Sequence, residues 1–261
     1  MANLISSAIN PMIKLARSLR QKKARDENDM FLVEGILHVG EAEEAGWDIF
    51  ALIYCPERLK SDFANSLVEK LIKKNTRCMA VSESVFESFA EKENPQGIAA
   101  IIRQRHNKLI DFSSVNFALA IVSPQDPGNV GSILRTIDGV GADGLILLDG
   151  GVDPYHQSVI RASMGSIFWK PIFTATYLDF TTWLEKNTCR IIGTSAHGSM
   201  DFRQIKVDSR PTILLLGSEQ KGLQSNYLGL CDDLISVSMR GHTSSLNLSV
   251  AAGILAYSLK G

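Results

Sequence analysis

The chain has 261 residues, of which 45% are hydrophobic and 21% are charged, and its formal net charge is −1. This length allows one large domain or two modest ones, and the composition is that of a globular protein with a sizeable core. The charge excludes a uniformly cationic protein, so any binding to nucleic acid must come from local basic patches.

The four cysteines lie far apart, and none belongs to a Cys-x-x-Cys pair or has a histidine at ligand spacing: Cys55, Cys78, Cys189 and Cys231. This pattern argues against a zinc site, and isolated thiols fit a reducing compartment better than a disulfide framework. The amino-terminal segment lacks the apolar core of a signal peptide, and no apolar run approaches the length of a membrane span. We therefore expect a cytoplasmic protein that holds no metal and contacts no membrane.

In chain order, residues 1–29 form a predicted basic leader. Helical apolar spacing in its middle predicts a helix, and the stretch between Lys14 and Arg25 contains no acidic residue. A solvated basic helix and an arm that contacts RNA phosphates explain the leader equally well. The residues proposed to contact RNA in the second case are Lys14, Arg17, Arg20, Lys22, Lys23 and Arg25.

Residues 30–105 predict a small α/β domain, because apolar runs of strand length alternate with helical patterns over the length of a compact module. No cluster of Asp, His or Cys within it suggests chemistry of its own. Residues 103–108 are a second basic patch, in which we expect Arg103 and Arg105 to contact RNA. Residues 106–113 are the predicted linker.

Residues 114–261 contain the apolar runs FALAIVS, GLILLD, RIIGTSA, TILLLGS and DLISVSM, which are separated by helical patterns. Apolar strands that alternate with helices predict a parallel sheet covered on both faces. In such a sheet a ligand binds at the carboxyl ends of the strands.

The first polar segment of this domain follows the strand FALAIVS. Asn129 is the predicted N-cap of a helix, Gly131 allows close backbone approach in its first turn, and Arg135 lies off its apolar stripe. A helix amino terminus after a strand favours an anion. On spacing alone, however, an ordinary strand-to-helix turn with a capping asparagine is the better explanation, and the segment is not a Gly-x-Gly-x-x-Gly dinucleotide loop.

Two further segments end predicted strands. Gly217 and Gly222 bracket a polar turn, where a ligand could meet free backbone groups; a plain glycine-containing turn is the alternative. Later, Ser244, Ser245 and Asn247 open a helix that is apolar around much of its circumference, with Ser245 as the predicted cap. Such a helix is buried or packs on a partner.

Together these segments resemble the three motifs of the SpoU/TrmH family of SPOUT methyltransferases. The matching motifs are Asn129-x-Gly131-x-x-x-Arg135, then Gly217-x-Glu219-x-x-Gly222, then Met239-x-Gly241 followed by Ser245-Leu246-Asn247-x-Ser249-Val250-Ala251. Residues 159–168 and 193–198 resemble two further family segments, the second of them placed near the cofactor. Three motifs in order and at suitable spacing are far more specific than any one of them.

One position departs from the family pattern. The family usually has proline before the methionine of the third motif, and this chain has Ser238. The change loosens the backbone of that loop. Residues 30–105 also resemble, more loosely, the L30e/L7Ae-type RNA-binding module of the family, through FLVEG…HVGEAEEAG and GIAAII.

The resemblance implies an α/β protein in which a small L30e-like domain precedes a SPOUT domain with a deep trefoil knot, a rare exception to the usual rule against threading. It implies S-adenosylmethionine as the cofactor, bent between the loops of the second and third motifs. The implied cofactor contacts are Thr194, Gly217, Val237, Met239 and Leu246.

The resemblance also implies methyl transfer to a ribose 2′-hydroxyl of RNA. Arg135 matches the catalytic arginine, whose role is either to activate the hydroxyl or to clamp the neighbouring phosphate. Because arginine stays protonated, we favour the clamp. Asn129, Ser245 and Asn247 would orient the ribose and the loops, and Glu219 would brace the site.

The implied assembly is a homodimer through the second domain, with Arg135 acting next to the cofactor of the partner chain and the apolar terminal helix as an isologous interface. We expect ribosomal RNA of the 23S type as the substrate, because a separate L30e-like module is typical of the ribosomal branch. Methylation of transfer RNA, methylation of a base, and a catalytically weak RNA-binding or ribosome-assembly protein of the same fold are the alternatives.

Overall fold

A computed structural model describes residues 4–91, 93–195, 198, 200–206 and 208–260. The chain divides into two units. The first consists of Met1–Arg105 and Tyr155–Phe168, and the second of His106–Pro154 and Trp169–Gly261.

The strands, in chain order, are β1 (Met30–Glu34), β2 (Ile49–Tyr54), β3 (Arg77–Ala80), β4 (Ile98–Arg103), β5 (Phe117–Val122), β6 (Leu145–Leu148), β7 (Ile172–Ala175), β8 (Arg190–Thr194), β9 (Met200–Asp201), β10 (Thr212–Leu216) and β11 (Asp233–Ser236). The helices are α1 (Pro11–Ser18), α2 (Lys22–Asn28), α3 (Ile36–Glu44), α4 (Asp62–Lys73), α5 (Glu83–Glu87), α6 (Pro127–Gly139), α7 (Gln157–Ala162), α8 (Tyr177–Lys186), α9 (Ser225–Leu228) and α10 (Leu248–Lys260).

The first unit is built on a four-stranded mixed sheet in the order β1-β4-β2-β3. β4 pairs antiparallel with β1 and β2, whereas β2 and β3 are parallel. Both faces of β4 are buried, since Ile98 and Ile102 point to one face, Ala99 and Ile101 point to the other, and all four side chains are inaccessible to solvent. The predicted α/β character of residues 30–105 agrees with this sheet.

The leader predicted over residues 1–29 is corrected by the structure, because its described part belongs to the core of the first unit. Met12, Ile13, Ala16 and Leu19 are buried in one cluster with residues of the sheet. Asn10 caps α1, since its side chain accepts a hydrogen bond from the backbone N–H of Met12 at 2.9 Å. The apolar stripe that predicts the helix must be covered, and the sheet covers it.

The structure also corrects the predicted place of residues 155–168. We expected them in the methyltransferase domain, but the chain returns to the first unit there. The Tyr155 ring lies 4.5 Å from the ring of Phe31, centroid to centroid. The indole N–H of Trp47 donates to the carbonyl of Phe168 at 2.8 Å. The buried Gln157 amide donates to the carbonyl of Leu32. These contacts integrate α7 into the first unit.

The second unit contains a seven-stranded sheet in the order β7-β6-β5-β10-β8-β11-β9, and every pairing in it is parallel. In β5, Ala118, Ala120 and Val122 join one core cluster, whereas Leu119 and Ile121 point to the opposite face and are equally buried. The predicted parallel sheet, covered on both faces, is thereby confirmed. The structure adds two short edge strands, β7 and β9, that the sequence did not indicate.

Within the described residues, no helix is both long enough and apolar enough to cross a membrane. Nor does any group of three or more His, Cys, Asp or Glu side chains in that part of the chain have an arrangement that could hold a metal ion. The four cysteines are free thiols.

Candidate active site

Three neighbouring strands of the second unit end at one cleft. In the sheet order β10-β8-β11, the carboxyl ends are Leu216, Thr194 and Ser236, and all three residues line a cleft of about 950 Å³. Parallel strands bring their carboxyl ends to a single edge, where α/β proteins bind ligands. The segments that the sequence placed at separate strand ends are therefore brought together.

All five predicted cofactor contacts line this cleft: Thr194, Gly217, Val237, Met239 and Leu246. So do Glu219, Ser245 and Asn247 of the predicted catalytic group. The structure also adds lining residues that the sequence did not single out, and Ser195 and Leu255 are examples. Their side chains carry no chemical pattern in the sequence, so only their position in the fold reveals them.

The turn after β10 requires glycine at its first position. A Cβ atom on Gly217 would lie 2.1 Å from the carbonyl carbon of Gly222, which is backbone and cannot move aside. The turn closes through a hydrogen bond from the N–H of Gly222 to the carbonyl of Ser218 at 2.9 Å. Gly222 has a φ of +61°, a conformation that glycine adopts at no steric cost. The two glycines thus fold this strand end back on itself and form one wall of the cleft.

Asn129 links the three motifs through its side-chain amide. Its Nδ2 donates to Glu219 Oε1 at 3.0 Å, and its Oδ1 accepts from Asn247 Nδ2 at 2.9 Å. Glu219 Oε2 in turn accepts from the backbone N–H of Gln125 at 3.3 Å. Asn129 is only 7% exposed, so the residue at the centre of this network is buried, whereas Glu219 and Asn247 are exposed.

Asn129 is not the N-cap that the sequence predicted. Asp126 caps α6, accepting from the backbone N–H groups of Gly128 at 2.6 Å and Asn129 at 3.2 Å, and Pro127 occupies the first helical position. Proline is favoured at that position because its missing N–H would have no partner there. The helix therefore starts earlier than the apolar stripe, and Asn129 is free to turn its amide toward Glu219.

The start of α10 also differs from the prediction. Asn247, rather than Ser245, caps it: its Oδ1 accepts from the backbone N–H of Ser249 at 2.8 Å and from the Ser249 hydroxyl at 2.7 Å. Ser245 is exposed, and its carbonyl accepts from the Thr243 hydroxyl at 2.9 Å. Asn247 thus joins the helix start to the Asn129 network, while Ser245 is an exposed residue in the lining of the cleft.

Arg135 is exposed on α6, as its position off the apolar stripe predicted. It is outside the set of residues that line the cleft, and no ion pair joins its guanidinium to another side chain in the described ranges of the chain. α6 packs against α10. The predicted catalytic arginine is therefore presented to solvent, on a helix that packs beside the third motif.

A loop that the sequence reading did not single out supports the first motif. Gly151 has a φ of +97°, and a Cβ on it would lie 2.3 Å from the carbonyl oxygen of Pro124. That carbonyl accepts from the N–H of Val152 at 3.1 Å. Nearby, Asp149 accepts from the Tyr227 hydroxyl at 2.6 Å, and burial together with this carboxylate raises the pKa of Tyr227. The loop holds the segment that carries Gln125 and Asp126.

Most of the basic side chains proposed to contact RNA have partners in the first unit. Lys22 and Lys23 pair with Asp26 and Glu27 at 2.6 and 3.8 Å. Arg17, Arg20 and Arg25 donate to backbone carbonyls. Arg103 pairs with Asp48 at 3.2 Å, and Arg105 stacks on the Trp47 ring at 4.3 Å. Lys14 is exposed.

Arg25 is the clearest disagreement with the predicted RNA contacts. It is only 2% exposed, and its guanidinium holds the carbonyls of Leu19 at 2.9 Å and Arg20 at 2.8 Å. These bonds satisfy the chain between α1 and α2, where helix-end carbonyls have no partner of their own. Its position is structural, and a phosphate cannot reach it in this conformation.

The all-parallel sheet with a cleft at its carboxyl edge defines an α/β protein of the kind in which ligands bind at the strand ends. Residues 116–257 match the model of the SpoU rRNA Methylase family, and residues 10–100 match that of the MRM3-like substrate binding domain. The chain belongs to the SpoU rRNA Methylase family.

Two relatives and one solved structure illustrate the likeness. The chain is 31% identical to the 23S rRNA (guanosine(2553)-2′-O)-methyltransferase RlmP of Bacillus subtilis, over 98% of this chain and 99% of the relative. It is 31% identical to the 23S rRNA (uridine(2479)-2′-O)-methyltransferase of Streptomyces viridochromogenes, over 92% of this chain and 85% of the relative. The AdoMet-bound rRNA methyltransferase from Sinorhizobium meliloti is 34% identical, with a TM-score of 0.90, over 99% of this chain and 97% of the other.

Proposed function

We propose that this chain transfers a methyl group from S-adenosylmethionine to a ribose 2′-hydroxyl of ribosomal RNA of the 23S type. The observation that carries the proposal is the cleft lined by the second and third motifs, whose Glu219 and Asn247 are both hydrogen-bonded to Asn129 of the first motif. The two relatives described above are 23S rRNA 2′-O-methyltransferases, which supports the same reaction.

The cleft fits S-adenosylmethionine in size and in the chemistry of its walls. A volume of about 950 Å³ lies within the range of small-molecule sites. Leu216, Leu246 and Leu255 give an apolar surface suited to the adenine ring, and the turn from Gly217 to Gly222 offers backbone groups. Together with Thr194, Val237 and Met239, these residues would hold the cofactor, which supplies an electrophilic methyl group when bound.

The protein contributes position and charge to the transfer. The amide network fixes Asn129 and Asn247, and Glu219 braces both through Asn129. These groups and the exposed Ser245 would orient the ribose. Arg135 would clamp the phosphate beside the reacting hydroxyl and stabilise the charge that develops on its oxygen. In-line placement of that oxygen accounts for most of the acceleration that such a site needs.

Recognition of RNA rather than DNA follows from the reacting group, because a 2′-hydroxyl exists only in RNA. The first unit is an L30e-like module in this proposal and would bind the surrounding RNA structure. Its match to the MRM3-like substrate binding domain supports that role. Of the basic residues, Lys14 is the best candidate for a phosphate contact, because it is exposed on a helix fixed in the core.

We also propose that the second unit contains a deep trefoil knot. One close backbone approach supports it. A Cβ on Gly198 would lie 2.6 Å from the carbonyl carbon of Ile235, so the segment after β8 passes directly against β11. The strand order also places β10 between β5 and β8, although it follows both in the chain.

A homodimer through α10 completes the proposal. Val250, Ile254 and Tyr257 are 49%, 37% and 57% exposed and recur at helical spacing, which gives one apolar face. A second copy that covers this face would lie next to α6, which packs on α10 and carries Arg135. In such a dimer Arg135 reaches the partner's cleft. Action on ribosomal RNA also supports a cytoplasmic location.

The reaction is tested by nucleoside analysis of ribosomal RNA treated with the enzyme and S-adenosylmethionine. A 2′-O-methyl nucleoside is the expected product, and a ring-methylated base would contradict the proposal. Mapping 2′-O-methyl sites in total RNA with and without the gene would then separate ribosomal from transfer RNA as the substrate.

The cofactor site is tested by titration calorimetry. Leu246→Arg should abolish measurable binding of S-adenosylmethionine, because it adds bulk and positive charge inside the cleft. Leu178→Arg is the matched control: Leu178 is 72% exposed on α8, outside the lining residues, and the variant should bind the cofactor like the wild type. Unchanged binding by Leu246→Arg would place the cofactor elsewhere.

A further inference from the structure

Ser238 occupies the position at which the family usually has proline, two residues after the end of β11 and among the residues that line the cleft. Its hydroxyl donates to Asp201 Oδ2 at 2.6 Å. Strands β9 and β11 are parallel, with Ser236 opposite Asp201. The hydrogen bond therefore continues the pairing of the two strands beyond the last strand residue and into the third-motif loop.

Asp201 is itself held in place. Its side chain is 15% exposed, and Arg203 binds it with Nε to Oδ1 at 2.6 Å and Nη2 to Oδ2 at 2.8 Å. The backbone N–H of Arg203 donates to Oδ1 at 3.1 Å. The hydrogen bonds from Arg203 and then from Ser238 hold the pKa of Asp201 well below its usual range. Asp201 is therefore an ionised, fixed acceptor at neutral pH, and charge-assisted hydrogen bonds are stronger than neutral ones.

We propose that the hydrogen bond between Ser238 and Asp201 replaces the stiffness that proline gives this loop in the family, so that both residues are positioning residues for the cofactor. Proline restricts the conformations open to a loop, and a loop that is already held in its bound conformation binds its ligand more tightly. A hydrogen bond from the loop to a fixed carboxylate restricts the same backbone. Val237 and Met239, the two neighbours of Ser238, both line the cleft, so the restriction acts where the cofactor binds. The inference rests on the cofactor site proposed above.

The test is a mutant cycle read by titration calorimetry with S-adenosylmethionine. Ser238→Ala and Asp201→Ala should each weaken binding about 3- to 10-fold, the range for one lost hydrogen bond. The double variant should bind no more weakly than the weaker single variant, because the two changes remove one interaction. Ser238→Thr, which keeps the hydroxyl, should bind like the wild type.

The Ser238→Pro variant is the most discriminating part of this test. This variant should recover wild-type affinity, because proline restricts the loop without the hydroxyl. In the Ser238→Pro background, Asp201→Ala should then have no effect on affinity. Ser209→Ala is the matched control, since Ser209 is an exposed serine that does not line the cleft; it should leave affinity unchanged.

Kinetics distinguish positioning from a general loss of structure. In Ser238→Ala the KM for S-adenosylmethionine should rise with the affinity loss, while kcat at saturating cofactor and the KM for RNA stay within about 2-fold. Thermal unfolding of each variant reports the fold separately. Asp201 also caps the turn Phe202–Gln204, so the Asp201→Ala variant could fail to fold. In that case the affinities of the alanine, threonine and proline variants at position 238 are sufficient to test the inference.

Several results would overturn the inference. Unchanged affinity in Ser238→Ala, additive losses in the double variant, or a Ser238→Pro variant as weak as Ser238→Ala would each do so. If the wild type binds S-adenosylmethionine and Leu246→Arg does not, these results leave the proposed function standing. If the wild type fails to bind the cofactor, the proposed function fails and the inference fails with it.

Discussion

The hydrogen bonds of Asn129 explain why the first motif needs an amide side chain. An amide is both a donor and an acceptor, so it can give a hydrogen to the Glu219 carboxylate and accept one from Asn247. Aspartate has the same shape but would place two carboxylates together. The sequence predicted that these residues belong to one site, through the motif order. It could not predict their bonds, because the partners lie 90 and 118 positions from Asn129.

Arg135→Ala should lower kcat about 10²- to 10³-fold, the usual cost of removing a group that stabilises developing charge. Binding of S-adenosylmethionine should stay within about 2-fold, because Arg135 does not line the cleft of its own chain. Single-turnover methylation and calorimetry measure the two effects. Lys186→Ala removes another exposed cation, from α8, and should leave turnover unchanged. Normal turnover in Arg135→Ala would remove this residue from the mechanism.

Helix α1 shows what the sequence could and could not predict about an element. The apolar period in residues 13–19 predicted a helix, and α1 confirms it over Pro11–Ser18. The same stretch is rich in positive charge, which fitted a solvated basic helix and an arm that contacts RNA phosphates equally well. The burial of Ile13 and Leu19 shows that the apolar stripe decides the position of the helix. An apolar stripe predicts that another part of the protein covers it, but the sequence does not identify that part.

Ile13→Ala should therefore destabilise the first unit, whereas a change at the neighbouring residue should not. Ile13 is fully buried, and truncation of a buried isoleucine costs about 2–5 kcal/mol of unfolding free energy. Lys14 is exposed, and Lys14→Ala should alter stability by less than about 0.5 kcal/mol. Urea unfolding followed by circular dichroism compares the two variants. A free leader would instead give equal, negligible effects.

The junction between β1 and α3 should give a pH-dependent contribution to stability through Glu34. Burial raises the pKa of Glu34, against the lowering effect of the Glu91 backbone N–H that both its oxygens accept. A raised carboxyl pKa means that the folded state favours the protonated form. The contribution of Glu34 is thus fully present below its unfolded pKa and is lost as pH rises through the folded pKa.

The comparison of wild type with Glu34→Gln isolates this contribution, because glutamine stays neutral. The difference in unfolding free energy, wild type minus variant, should be largest near pH 4 and should decrease toward pH 7. Asp208→Asn serves as a control of opposite sign: hydrogen bonds from Arg210 lower the pKa of Asp208 to about 2. Its contribution should instead be present above about pH 4 and be lost as the pH falls through about 2. A flat difference for Glu34→Gln would contradict the assigned burial effect.

At the scale of the whole molecule, the alternation of apolar strands and helices predicted the parallel sheet of the second unit, and pairing in register confirms it. This alternation does not predict the spatial order of the strands in the sheet. Neighbours in a parallel sheet are chosen by packing of the connecting helices, not by any local pattern. The sequence could not predict the return of residues 155–168 to the first unit either. The aromatic partners of this segment, Phe31 and Trp47, are distant from it in sequence.

The proposed dimer makes a prediction that only the assembled molecule can satisfy. If Arg135 serves the cleft of the partner chain, two inactive variants should complement each other. Arg135→Ala has an intact cleft but no arginine, and Leu246→Arg has the arginine but a blocked cleft. A mixed dimer then contains one complete site, formed by the cleft of the first variant and the arginine of the second.

Random exchange of equal amounts should therefore restore about one quarter of the wild-type activity, because half of the dimers are mixed and each has one complete site of two. The variants are co-refolded or co-expressed, and methylation is measured against each variant alone. Val250→Glu together with Tyr257→Glu should prevent dimer formation, measured by light scattering, and should abolish this recovery by placing charge on the apolar face of α10. No recovery in verified mixed dimers would mean that Arg135 acts within its own chain.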